Sequence, residues 1–204
     1  MRLSDSVSAK PKEKVAILIA GSFEQHGPHL PLSTDTIIAE AVAWKMAEKT
    51  GAAVGPTFPV GVSPEHMGFP GTITLTEETF RRAVSEAVAS LRTHGFKEVI
   101  VVNGHGGNIK ALAGTGAKTV NLTSLLKPYD HAGEVETSLI MHLRPELVKP
   151  GEIRKHEFKW PGKGGWKDTR DYSASGVLGD PTAATPEKGR AYFERLVSAA
   201  LDQL

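Results

Sequence analysis

Glu24, His26, His29 and Asp35 fall within the single stretch GSFEQHGPHLPLSTDT (21–36), among two prolines and two glycines. Neither a strand nor a helix favours that mixture. Imidazole and carboxylate are the donors that divalent metals of intermediate softness prefer. Two further segments add to them: NGHGGN (103–108) contributes His105, and YDHAGEVETS (129–138) contributes His131, Glu134 and Glu136. Glu24, His26, Asp35, His105 and Glu136 make a complete inventory for a dinuclear site, in which a carboxylate is shared by ions about 3.5–4 Å apart. Asp35 is the best candidate bridge. His26 follows Glu24 by two residues, so in extended backbone both point the same way. Hydroxide held between two cations is a strong nucleophile at neutral pH, and the chemistry expected is hydrolysis. The departing group needs a proton, for which His131 is the first candidate and Glu134 the second. Gly106 and Gly107 leave room beside His105 for substrate, and Ser63 and His66 complete the expected substrate-binding set. Taken singly, Asp35 reads equally as a helix cap, Glu136 as a first-turn acid and His105 as a turn residue. His29 is expected to pack or hydrogen-bond within its loop, and His94, His142 and His156 to be structural or exposed.

Elements that put these segments together are legible. VAILIAG (15–21), AAVGPTFPVG (52–61), KEVIVVNG (97–104) and TVNLTSLL (119–126) read as buried strands, and GTITLT (71–76) alternates. Residues 35–51 and 76–95 have apolar positions at helical spacing, each closed by glycine, the second with Thr76 as N-cap. A short helix is expected over 106–119, another over 133–148 stopped near Pro145, and a terminal one over 185–204 with Thr185 as cap and Pro186 in its first turn. Strands alternating with helices predict an α/β fold, a mostly parallel sheet covered on both faces. Ligands of such sheets gather outside the carboxyl ends of the strands. All three polar clusters fall there, and this convergence does not depend on any one motif.

Composition sets limits. The 204 residues suit one domain, with residues 1–13 loose and 149–184 forming a long functional or subunit-contacting loop. A net charge of +1 advertises neither nucleic acid nor membrane as partner. The absence of cysteine removes thiolate nucleophiles and Cys-based zinc sites. With no apolar leader and no spanning run, a cytoplasmic location is expected. Ile109 stands where a G-x-G-x-x-G fingerprint needs its last glycine, and no Walker lysine or G-x-S-x-G elbow is present, so dinucleotide and serine-hydrolase chemistry are not expected.

GSFEQHGPHLPLSTDT, EHMGFPGTITL (65–75), NGHGGN, DHAGEVETS (130–138) and SGVLGDPTAATPEKG (175–189) occur in the order in which similar stretches occur in the creatininase family of amidohydrolases, which the chain resembles over most of its length. The resemblance implies a three-layer α/β/α fold, two divalent ions (zinc, manganese or iron) held by Glu24, His26, Asp35, His105 and Glu136, and hydrolysis of a non-peptide carbon–nitrogen bond. It also implies a homohexamer built as a trimer of dimers. Creatininases proper are similar to one another in an acidic residue where this chain has Gly107 and in a tryptophan where it has Lys127. At GHGGN the chain looks similar to formamidopyrimidine-nucleotide deformylases and to a peptidase that trims a redox-peptide precursor, and a small cyclic amide or formamide is the expected substrate. Creatinine itself and a mycofactocin-type precursor peptide are the alternatives.

Residues 154–170 hold Arg154, Lys155, Lys159, Lys163, Lys167 and Arg170 with Trp160 and Trp166, against Glu157 and Asp168. That mixture suits an anionic, ring-bearing substrate and equally suits a subunit-contacting loop. A metal-dependent isomerase or lyase, or a metal-binding assembly module, would use the same ligands.

Overall fold

A computed structural model describes residues 2–5, 13–126, 128, 130–160 and 167–204. Four parallel strands form its sheet in the order β2-β1-β3-β4: β1 (Val15–Ala20), β2 (Ala53–Phe58), β3 (Glu98–Asn103) and β4 (Lys118–Asn121). β1 pairs with β3 in continuous register from Val15↔Glu98 to Ala20↔Asn103. On its other side, β1 pairs with β2 across a register shift between Ile17 and Ile19.

The wholly apolar β1 sequence is explained by burial on both faces, because successive side chains of a strand alternate. Ile17 and Ile19 join Ile100 and Val102 beneath α1 (Thr34–Thr50), α4 (Glu134–Leu143) and α5 (Pro186–Leu201). Leu18 and Ala20 join Val99 and Val101 beneath α2 (Glu77–Thr93) and α3 (Ile109–Leu112). The architecture is therefore three layers, α/β/α, as expected. Thr76 and Thr185 cap α2 and α5 as their sequences predict, accepting from the backbone N–H of Thr79 and Lys188.

Several boundaries differ from expectation. The strand expected over 119–126 ends at Asn121 and turns into a 3-10 segment, Leu122–Ser124. Its partner β3 stops at Asn103, so no ladder is available further on. The helix expected over 106–119 is a 3-10 turn, Gly106–Asn108, followed by the one turn of α3. Gly114 and Gly116 then take positive φ and end it. GTITLT makes no strand: Ile73 forms an isolated bridge with Phe23. Thr72 Oγ1 and Thr74 Oγ1 instead accept from the backbone N–H groups of Gln25 and Ser63.

Strand order reverses at β1, since the chain runs outward to β2 and returns on the other side to β3. That switch point opens a crevice beyond the carboxyl ends of β1 and β3. Residues 22–26 and 104–108 leave the two strands directly into it.

Candidate metal centre

Asp35 sits in the first turn of α1, where backbone dipoles favour a carboxylate. Its two oxygens face two different rings, Oδ1 lying 3.3 Å from His26 Nε2 and Oδ2 lying 3.0 Å from His105 Nδ1. Ser22 Oγ donates to Oδ2 at 2.8 Å and fixes the rotamer. A carboxylate splayed between two imidazoles is what a bridging ligand requires.

Each imidazole is held by a backbone carbonyl, which can only accept. His26 Nδ1 donates to Glu24 O at 3.1 Å, which turns Nε2 towards Asp35 and, at 3.6 Å, towards Glu136 Oε2. His105 Nε2 donates to Val62 O at 2.9 Å, which turns Nδ1 towards Asp35. A second bond of this kind is how metal-binding histidines are fixed in tautomer and orientation. Glu24 reaches in from the loop after β1, with Oε2 3.3 Å from His105 Nε2 and Oε1 3.5 Å from His66 Nε2. Glu136, from the first turn of α4, accepts from Ala132 N at 2.6 Å. Ala132 itself takes φ 53°, a backbone strain that aims this N–H at the carboxylate.

The ligand atoms of Glu24, Asp35 and His105 lie within 4.8 Å of one another, as do those of His26, His131 and Glu136, and those of Glu24, His66 and His131. Glu24 Oε2 and His26 Nε2 are fully buried and have no hydrogen-bond partner. Buried polar atoms left in that state are costly unless something else completes them. Three carboxylates gathered around imidazoles in a largely buried cluster, with orphaned atoms on Glu24 and His26, fit divalent cations.

Electrostatics agree. Burial drives Glu24 up to about 7 and Glu136 up to about 8, in spite of the nearby rings. For His26, burial opposes the charged ring, but Asp35 and Glu136 outweigh it and raise the group to about 10. Burial likewise opposes charge on His105, and Glu24 and Asp35 raise it to about 10. Asp35 is held well below its usual range by His26 and His105 against its own burial. Burial and the neighbouring His26 push His66 down to about 3 and hold His131 low as well, so both rings stay neutral.

The cleft over these groups has a volume of about 300 Å³, and Glu24, Asp35, His66, His105, His131 and Glu136 line it. His131 is buried and packs between His26 and His66, with ring centroids 4.4 and 4.7 Å away. Reciprocal backbone bonds with Leu178 hold it in place.

Three expectations are revised. Glu134 lies outside the cluster: its Oε1 accepts from Tyr192 Oη at 2.9 Å and lies 3.0 Å from Lys188 Nζ, on the α4–α5 contact. Residues two apart on a helix face different ways, so Glu134 and Glu136 do not share a site. Ser63 stands behind His105, its Oγ 3.2 Å from Nε2, and does not line the cleft. Gly106 borders open space, as expected of an approach path, but a Cβ on Gly107 would meet Val62 O at 2.1 Å and His105 Nε2 at 2.5 Å. Gly107 lines the cleft, as expected, but its missing side chain serves close packing rather than an approach path.

His29 Nε2 bonds Thr137 Oγ1 at 2.9 Å, the structural role expected of it. In the basic segment, Arg154 pairs with Glu152 and Arg170 with Asp168. Lys127, Lys163 and Trp166 lie outside the described residues.

Three residues escaped the sequence reading. Asp130 Oδ2 accepts from Val135 N at 2.8 Å and satisfies a first-turn donor of α4 from three residues ahead of the N-cap, Gly133, a spacing that no capping pattern signals. Asn108 ties the crevice walls together, accepting from Val62 N and donating to Gly21 O. Gln25, between two ligand candidates, contacts both His66 and His131.

Residues 1–204 match the family model Creatininase, described as creatinine amidohydrolase. The chain is 36% identical to the mycofactocin precursor peptide peptidase of Mycolicibacterium smegmatis, over 93% of this chain and 84% of that one. It is 32% identical to the 2-amino-5-formylamino-6-ribosylaminopyrimidin-4(3H)-one 5'-monophosphate deformylase of Methanothermus fervidus, over 93% and 81%. A variant creatininase structure of zinc–zinc type superposes with a TM-score of 0.84 at 25% identity, covering 93% of this chain and 89% of that one. The chain belongs to the creatininase family of amidohydrolases, enzymes that hydrolyse carbon–nitrogen amide bonds.

Proposed function

We propose that this protein is a two-metal amidohydrolase that cleaves an amide bond in a precursor peptide. The observation that carries the metal reading is the placement of Asp35, one oxygen towards His26 and the other towards His105, with Glu24 and Glu136 completing the two sides. Glu24, Asp35 and His105 would hold one ion, and His26, Asp35 and Glu136 the other. Divalent ions in that position supply polarisation of the amide carbonyl and a water acidic enough to attack near neutral pH.

The remaining work falls to the chain's own groups. Ser22 and the carbonyls of Glu24 and Val62 keep the ligands aligned, so little reorganisation accompanies the reaction. His131 is neutral, buried and on the cleft wall, which suits it to accept a proton from the attacking water. It returns that proton to the nitrogen as the carbon–nitrogen bond breaks.

A peptide substrate draws its support from the 36% identity to a precursor peptidase across nearly the whole chain. A formylated pyrimidine nucleotide is the second reading, supported by the 32% identical deformylase. The test is to strip the protein with chelator, reload it separately with zinc, manganese and iron, and offer precursor peptides, formamides and creatinine. Metal-restored release of a peptide fragment supports the first reading. Formate release alone selects the second, and turnover that survives full metal removal refutes both.

A further inference from the structure

The orientation of the Gln25 amide is fixed by backbone groups that have no choice of role. Gly27 N–H can only donate, and it meets Oε1 at 2.9 Å. Gly176 O can only accept, and it meets Nε2 at 3.2 Å. Gly176 takes φ +80°, and a Cβ there would collide with this side chain, so the loop is built against the amide. The Nε2 end is thus the NH2 group, with two hydrogens and three neighbours able to receive them: Gly176 O, His66 Nδ1 at 2.8 Å and His131 Nε2 at 2.9 Å.

His131 Nε2 also lies 3.0 Å from Gln25 O, a carbonyl that asks for a donor. One assignment gives both backbone carbonyls their donors, although it leaves His131 Nε2–H 2.9 Å from the amide nitrogen. His131 Nε2–H donates to Gln25 O, and the amide hydrogens go to Gly176 O and His66 Nδ1. A His66 Nδ1–H would stand against the amide N–H at 2.8 Å, the shortest of these contacts, which costs more than a lost bond in a dry interior, so this ring nitrogen accepts whichever tautomer His131 takes. Thr169 Oγ1, 3.2 Å from His66 Nδ1, is compatible because a hydroxyl can turn to donate.

The consequence differs for the two rings. His66 Nδ1 is an acceptor, so its one proton sits on Nε2, which faces Glu24 Oε1 in the cleft. His131 carries its proton on Nε2, directed at the Gln25 carbonyl. We propose that Gln25 is a positioning residue that holds His66 as a neutral Nε2–H donor, and that this N–H binds the carbonyl oxygen of the amide under attack. A neutral imidazole can stabilise developing oxyanion charge without giving up its proton. His66 is then a substrate-binding catalytic residue and not a metal ligand, although its ring lies within ligand distance of Glu24 and His131.

The proposal rests on the two-metal reading for its chemistry, but its test does not need a substrate. Protein labelled with 15N-histidine, metal-free and zinc-loaded, is read by side-chain 15N–1H correlation. His66 is expected as the Nε2–H tautomer in both states, and Gln25→Glu, which replaces the NH2 by an acceptor, is expected to shift it to Nδ1–H. His66→Gln is expected to keep the zinc content of the wild type while lowering kcat about 10²-fold, the usual cost of one oxyanion donor. A wild-type His66 protonated on Nδ1, or a fall in zinc content in His66→Gln, overturns the proposal. Should the wild type bind no metal at all, the two-metal reading fails, and the tautomer measurement still decides the role of Gln25. Because the wild-type spectrum is decisive by itself, a variant that does not fold leaves the test intact.

Discussion

Loading the site with zinc should expel protons, and the structure gives their number. Ligand atoms must be deprotonated to bind a metal. In the metal-free protein, His26 and His105 are held at about 10, so at pH 7.5 each carries its proton almost fully. Glu24 at about 7 and Glu136 at about 8 are each partly protonated at the same pH. Together these correspond to about three protons displaced as the site fills at pH 7.5. The sign is clear: all four groups are raised, so lower pH strengthens proton competition and weakens metal binding. Affinity should therefore rise steeply from pH 6 to pH 8. Isothermal titration of the chelator-stripped protein with zinc, in buffers of different ionisation enthalpy, reads the proton count directly. Release of two or more protons is expected. A value near zero would mean that the imidazoles are neutral without metal, and the reasoning from Asp35 outwards would be wrong.

Other perturbations separate site from scaffold. Gly107→Ala should displace His105 and abolish activity at a stability cost of about 1–3 kcal/mol, while Gly106→Ala, which meets nothing within 4 Å, should keep both fold and metal content; thermal melts and metal analysis tell them apart. Glu134→Gln should leave turnover and metal unchanged and cost under about 1 kcal/mol, since it only loosens a half-exposed contact with Lys188; a large loss of kcat would restore Glu134 as a catalytic group. Asn108→Ala strands Val62 N and Gly21 O in a buried position and should cost about 1–3 kcal/mol for each group left unpaired, measured by urea denaturation. The metal-free protein should lose stability as pH rises from 6.5 to 9. His26 and His105, raised from 6.5 to about 10, bind more protons folded than unfolded across that interval. Zinc should abolish the decline, and a flat melting temperature without metal would contradict the assignment.

What could be read from sequence follows from how local the information is. β1 and β3 announce themselves as unbroken apolar runs because both of their faces are buried, and the caps Thr76 and Thr185 act on N–H groups three residues away. The convergence of Glu24, His105 and Glu136 on one cleft was legible because parallel α/β topology sends strand ends to the same rim, so these residues needed no contact information to be grouped. What failed depends on partners distant in the chain. Gln25 reaches His131 across 106 residues, and no spacing rule encodes that meeting. Gly107 looked like an opening because a bare position is the same in sequence whether space or the Val62 carbonyl lies beside it. Glu134 was only the second proton-donor candidate, and the contacts with Lys188 and Tyr192 that draw it away from the cleft join residues more than fifty positions apart. β4 was drawn too long because its end is set by where β3 stops, not by its own β-branched residues.

The central claim is that two divalent ions share Asp35. Elemental analysis of wild type and Asp35→Asn, both purified without added metal and then reloaded with zinc and dialysed, tests it most directly. About two ions per wild-type chain, falling to one or none in Asp35→Asn while the fold persists by circular dichroism, is the result predicted. An unchanged metal content in Asp35→Asn, or a wild type that binds no metal even after reconstitution, would contradict it.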